Sequence, residues 1–151
     1  MARVSYSVFL NQDPCSLKQT IYFYFRGTLV IEISRVIHPD VIGALFKTIK
    51  EYEARTVINF KMRSDEQDYI EILADAGCSS VLGKQGGRQT LSLIPGCFEI
   101  GTQMHEFMHA LGVMHTFTRP DRDQYVDVFI DRVEPSMRFN YDINDYQFRK
   151  E

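Results

Sequence analysis

Residues 20–33 (TIYFYFRGTLVIEI) are dense in aromatic and β-branched side chains, with Gly27 as the break between two short strand-like pieces. The pattern then changes period. Val41, Ile42, Leu45, Phe46, Ile49 and Tyr52 recur at three- and four-residue steps, one apolar face of a helix that His38-Pro39-Asp40 would start. Lys47, Lys50, Glu51 and Glu53 fall mostly on the other side, as a solvated face. Shorter apolar runs follow at 57–62 and 68–73, then strand and turn at 77–87, then a strand at 89–94 ending on Pro95-Gly96. A second helix is predicted from Gly101 to Leu111, and irregular chain from Arg119 onward. The order predicts an α+β (mixed α/β) domain, a sheet with two main helices. No internal repeat or Pro/Ser-rich linker interrupts it.

Composition narrows the function. The 151 residues carry a net charge of −3, with 44% apolar and 25% charged positions, which are ordinary globular values. A sequence pI near 5.8 argues against a broad phosphate-binding face, so no nucleic-acid partner is expected. No run of about 18 apolar residues exists to cross a membrane. Met1–Leu10 is broken by polar residues before Asn11-Gln12-Asp13-Pro14 and makes a poor signal peptide. Gly83-Lys84-Gln85-Gly86-Gly87 lacks the Gly-Lys-Ser/Thr ending of a phosphate loop and leads into no helix, so it reads as a turn. Of the three cysteines, Cys78 and Cys97 flank this Gly-rich segment. They read either as a short disulfide loop or as two buried thiols; Cys15 has no evident partner.

Three of the four histidines fall between positions 105 and 115, in His105-Glu106-Phe107-Met108-His109-Ala110-Leu111-Gly112-Val113-Met114-His115. Four residues apart on a helix, His105 and His109 share a face and can share one ion. Gly112 tolerates the left-handed conformation that ends a helix, and a turn there can bring back His115 as third nitrogen. Three imidazoles with one open position is the pattern of a catalytic zinc site, whereas a structural site needs a fourth protein ligand. Glu106, beside the first ligand, is placed to take a proton from water at the open position and pass it to a leaving amine. With this chain's own composition, the five fixed positions arise by chance at on the order of 1 in 10⁵ sequences. Asp121 and Asp123, within Arg119-Pro120-Asp121-Arg122-Asp123, read as a salt-bridged loop rather than as ligands, and His38 as a residue at a helix start.

This zinc motif, continued by Arg119-Pro120-Asp121-Arg122-Asp123-Gln124-Tyr125-Val126, resembles the astacin family of zinc metalloendopeptidases, within the metzincins. The likeness extends back through Gly77–Gly83, Gly86–Gln89, Leu91–Leu93 and Gly96-Cys97, and forward to Glu134–Met137 and Asn140–Asp142. It implies a metzincin-like upper subdomain with a twisted, mostly parallel sheet, a backing helix and an active-site helix. It also implies one zinc held by His105, His109 and His115, and Glu106 as general base. A Cys78–Cys97 disulfide would follow, with Cys78, Ser79, Ser80 and Val81 on an edge strand that pairs with an extended polypeptide substrate. Residues 20–151 would form the metallopeptidase domain after an extension at 1–19, and the location would be extracellular. The chain departs from the family at Val57, where a Cys is usual, and at Thr116, where a Glu is usual. It also ends before the family's Ser-x-Met-His-Tyr turn, which predicts an uncovered cleft face prone to self-association. The alternative to an active endopeptidase is a catalytically impaired zinc-binding relative that engages peptides at its edge strand.

Overall fold

The structure, a computed structural model, describes residues 27–34 and 37–144. The chain divides into two compact units, Met1–Val113 and Met114–Glu151.

Among the described residues, the first unit holds five strands and two helices: β1 (Thr28–Ile33), α1 (Pro39–Arg55), β2 (Asn59–Met62), β3 (Tyr69–Leu73), β4 (Cys78–Ser80), β5 (Arg88–Leu93) and α2 (Ile100–Ala110). The strands form one sheet in the order β2-β1-β3-β5-β4. β1 runs parallel to β2 and β3, and β3 parallel to β5; β4 alone is antiparallel, at the edge. The expected mostly parallel sheet is therefore present. The piece of strand expected before Gly27, the 1–19 extension and Cys15 lie outside the described residues.

Alternation along the strands builds the core. Leu29 and Ile31 of β1, Ile70 and Ile72 of β3, and Leu91 and Leu93 of β5 are all buried, and their register sets Ile31 against Ile70 and Ile72 against Leu91. Val41, Leu45 and Tyr52 of α1 and Phe107 and Ala110 of α2 join the same cluster. Phe107 packs edge-on to both Tyr52 and Phe60, at 6.1 and 5.2 Å between ring centres.

Helix α1 starts where the sequence predicts. His38 caps it by accepting the Asp40 N–H on Nδ1 at 3.3 Å, and Pro39 occupies the first turn, where a missing N–H costs nothing. Its buried stripe is rotated from the expected one, however. Phe46, expected on the apolar face, is 50% exposed, while Ala44 and Thr48 are buried. The reason is polar: the Thr48 hydroxyl donates to Gln103 Oε1 at 3.3 Å, so a hydroxyl holds the inward position and Phe46 turns out.

Ion pairs dress the exposed turns. Arg63 bonds Glu32 at 2.6 Å and stacks over the Tyr69 ring at 3.7 Å. Lys61 holds Glu66, whose second oxygen also accepts the Ser64 N–H at 2.8 Å. These contacts push the Glu66 carboxyl down to about 2, with the Lys61 hydrogen bond the largest cause.

The second unit is built of short 3-10 turns at Thr116–Thr118, Arg122–Gln124, Ile130–Arg132 and Pro135–Tyr141. Arg122 ties it together by donating to the carbonyls of Phe117 and Tyr141. Arg119 makes a bidentate pair with Asp121 at 2.8 and 2.7 Å, and Arg122 bonds Asp123, so this loop is salt-bridged as expected.

Candidate metal centre

Helix α2 presents a buried stripe and an exposed one, with Glu106 at the border nearest His109. Gln103, Glu106, Phe107 and Ala110 are buried at helical spacing, while His105 and Met108 are exposed and His109 is half-buried. The two histidines stand on successive turns, with Nε2 of one 2.9 Å from Nε2 of the other and the rings nearly perpendicular at 83°.

The end of the helix decides which nitrogen of His109 is available. Gly112 takes φ +92°, a left-handed conformation that a side chain would oppose. Gly112 N–H returns to the His109 carbonyl at 2.8 Å and Val113 N–H to the Met108 carbonyl at 2.9 Å, the paired bonds of a Schellman stop. The turn delivers the Val113 carbonyl to His109 Nδ1, at 2.8 Å. A carbonyl can only accept, so Nδ1 carries the hydrogen and Nε2 presents its lone pair towards His105. Orientation of a ligand imidazole by a backbone carbonyl on its far nitrogen is how metal-binding histidines are commonly held.

The donors fit zinc. Two nitrogens at about 2.0 to 2.1 Å from a tetrahedral ion lie about 3.3 Å apart, so the pair needs to part by only about 0.4 Å. His105 and His109 are the donor pair that α2 brings together, both in the first unit, and the third histidine of the motif, His115, belongs to the second. His115 precedes the Thr116–Thr118 turn, and its ring stacks on Phe117 at 5.0 Å and 16°. Glu106 follows His105 directly and is 5% exposed.

The expected disulfide is present. Cys78, exposed on β4, is bonded to fully buried Cys97 in the loop before α2. Ser79 and Ser80 complete β4, and Val81 N–H continues the ladder to the Thr90 carbonyl at 3.3 Å. The turn beyond is braced by Gln89, whose amide donates to the Gly83 carbonyl at 3.0 Å and accepts the Gln85 N–H at 3.3 Å. Gly83 N–H in turn reaches the His109 carbonyl at 2.8 Å, joining the turn to the helix.

One inward residue of α2 was not singled out by sequence reasoning. Gln103, fully buried, donates to the carbonyls of Cys97 at 2.8 Å and Val41 at 3.2 Å. Only a polar residue at a core-facing position of the helix could have flagged it.

The family model of Astacin, a peptidase family, matches residues 18–150. The chain belongs to the astacin family. Among curated astacin relatives, zinc metalloproteinase nas-13 of Caenorhabditis elegans is 41% identical over 128 residues, 84% of this chain and 28% of that protein. Zinc metalloproteinase nas-6 of the same organism is 34% identical over 127 residues, 84% of this chain and 37% of that protein. The chain thus spans well under half of the length of either. Among solved structures, high choriolytic enzyme 1, a hatching enzyme zinc-protease from Oryzias latipes, superposes with a TM-score of 0.75 at 33% identity, over 78% of this chain and 60% of that one. The mixed α and β architecture is that of this astacin structure.

Proposed function

We propose that this chain carries the active centre of a zinc endopeptidase that cuts extended polypeptides. His105, His109 and His115 are the ligands and Glu106 is the general base. The observation that carries the reading is the facing pair of His105 and His109, with the Val113 carbonyl fixing the tautomer of His109. Zinc bound there would acidify a coordinated water towards neutrality and polarise a substrate carbonyl. Glu106 takes the proton released and hands it to the leaving amine, acting as base and then as acid. The outer edge of β4, from Cys78 through Ser79 and Ser80 to Val81, pairs with the backbone of the substrate as an added strand. No helix among the described residues is long and apolar enough to cross a membrane. The Cys78–Cys97 bond supports an oxidising, extracellular location.

Self-association accompanies this reading. Tyr125, Phe129 and Phe139 are each more than half exposed, and such side chains favour contacts between copies. Sedimentation at rising concentration should show association; a monomer throughout argues against it.

The central test pairs zinc content with cleavage of an unfolded protein, with and without a chelator. One zinc per chain and chelator-sensitive cleavage are expected. A chain that binds no zinc overturns the reading. Stoichiometric zinc without cleavage leaves a metal-binding relative with no protease activity.

A further inference from the structure

We propose that Gln103 is a positioning residue for the metal-binding helix, setting the rotation of α2 about its own axis; this rests on the zinc reading above. Gln103 is completely buried, and both polar atoms of its carboxamide are bonded. Both amide hydrogens go to backbone carbonyls, of Cys97 and of Val41, and its oxygen accepts the Thr48 hydroxyl. One side chain thereby ties α2 to α1 at two points and to the disulfide loop at a third.

Other directional ties reach only the main chain of α2, from the Tyr52 hydroxyl to the Met104 carbonyl and from the Gly83 N–H to the His109 carbonyl, both at 2.8 Å. Phe107 and Ala110 hold the helix against the core by apolar contact, which is non-directional and tolerates small rotations. Hydrogen bonds weaken steeply off-axis and resist them. His105 lies two residues on from Gln103 and His109 six, so both face away from the anchored side. A rotation of about 10° carries an atom about 6 Å from the helix axis through about 1 Å. Metal–ligand distances hold to within about 0.2 Å, so a twist that the core barely registers is large for the ligands. A buried amide costs free energy to desolvate and is an unusual choice where leucine would pack. Orientation of the helix is what it supplies.

The test compares the wild-type chain with Gln103→Met, which keeps side-chain length and removes the amide. An Ile31→Val control alters the core in β1, away from α2. Zinc retention is read by competition with a chromophoric chelator, and ligand geometry by the visible absorption of the cobalt-substituted chain, both where circular dichroism reports a folded chain. Gln103→Met should hold zinc at least about tenfold more weakly and change the cobalt spectrum, whereas Ile31→Val should do neither. Zinc held equally tightly by Gln103→Met with an unchanged spectrum overturns the proposal, as does equal loosening by Ile31→Val. If Gln103→Met does not fold, Thr48→Val removes one of the three bonds and should weaken zinc a few-fold; no weakening overturns the proposal. A wild-type chain that binds no zinc sinks the metal reading itself, a distinguishable outcome.

Discussion

His109 and Val113 are joined by a hydrogen bond from an imidazole nitrogen to a main-chain carbonyl, 2.8 Å long, across the turn that ends α2. The bond makes the helix stop part of the metal chemistry, because it selects the nitrogen that His109 offers. Both the helix and its end can therefore be probed through zinc.

Glu106→Ala should keep zinc and lower hydrolysis by at least about 100-fold, the smaller end of what a general base supplies. His109→Ala should lose both. Elemental analysis beside a peptide-cleavage assay separates the two, and retained cleavage by the Glu106 variant would remove it from the mechanism.

Gly112→Ala should destabilise the fold by about 1 to 2 kcal/mol, since φ +92° sets a Cβ against the backbone. Zinc should also be held less tightly, because the Val113 carbonyl moves with the turn. Urea unfolding and chelator competition measure the two effects separately.

Reduction of Cys78–Cys97, whose partners are 19 positions apart, should remove about 3 kcal/mol on loop-closure grounds. The Cys78→Ser, Cys97→Ser double variant should unfold at the same urea concentration as the reduced wild type. A midpoint equal to that of the oxidised chain would show that the bond adds nothing.

Glu66 contributes to the pH dependence of stability, as do Asp68 and Asp121, whose carboxyls are lowered by Lys84 and Arg119. The Glu66 carboxyl is held at about 2 against an ordinary 4.5, first by Lys61 and then by the Ser64 N–H. A lowered folded-state value means the stabilisation is complete above about pH 4.5 and disappears as pH falls towards 2. Wild type should therefore melt above Glu66→Gln at pH 6, and the gap should close on acidification. Because the pair is at the surface, added salt should narrow the gap as well.

The described strands and the two described helices were legible because burial on one face imposes a period that survives in the sequence, as in Leu29 and Ile31 or Val41 and Leu45. The zinc motif and Gly112 were legible because their chemistry admits few substitutes. Thr48 and Phe46 were not. Hydrophobic periodicity ranks phenylalanine inward and threonine outward, and only the Gln103 carboxamide 55 residues away reverses that order. The 3-10 turns after Thr116 leave little periodic trace, since single turns bury no continuous stripe.

The two ties that join β4 and the turn after it to α2 and the loop before it have one more consequence. The disulfide fastens the strand at Cys78, and the Gly83 N–H fastens the chain just beyond it to the His109 carbonyl. Strand and helix are thus a bracket closed at both ends, and a peptide lying along β4 would be gauged against the histidines as against a fixed rule. Residues inserted between Ser80 and Gly83 would lengthen that rule and shift the bond that is cut. Residues inserted between Lys84 and Gly86 fall outside it and should leave the position of cleavage where it was.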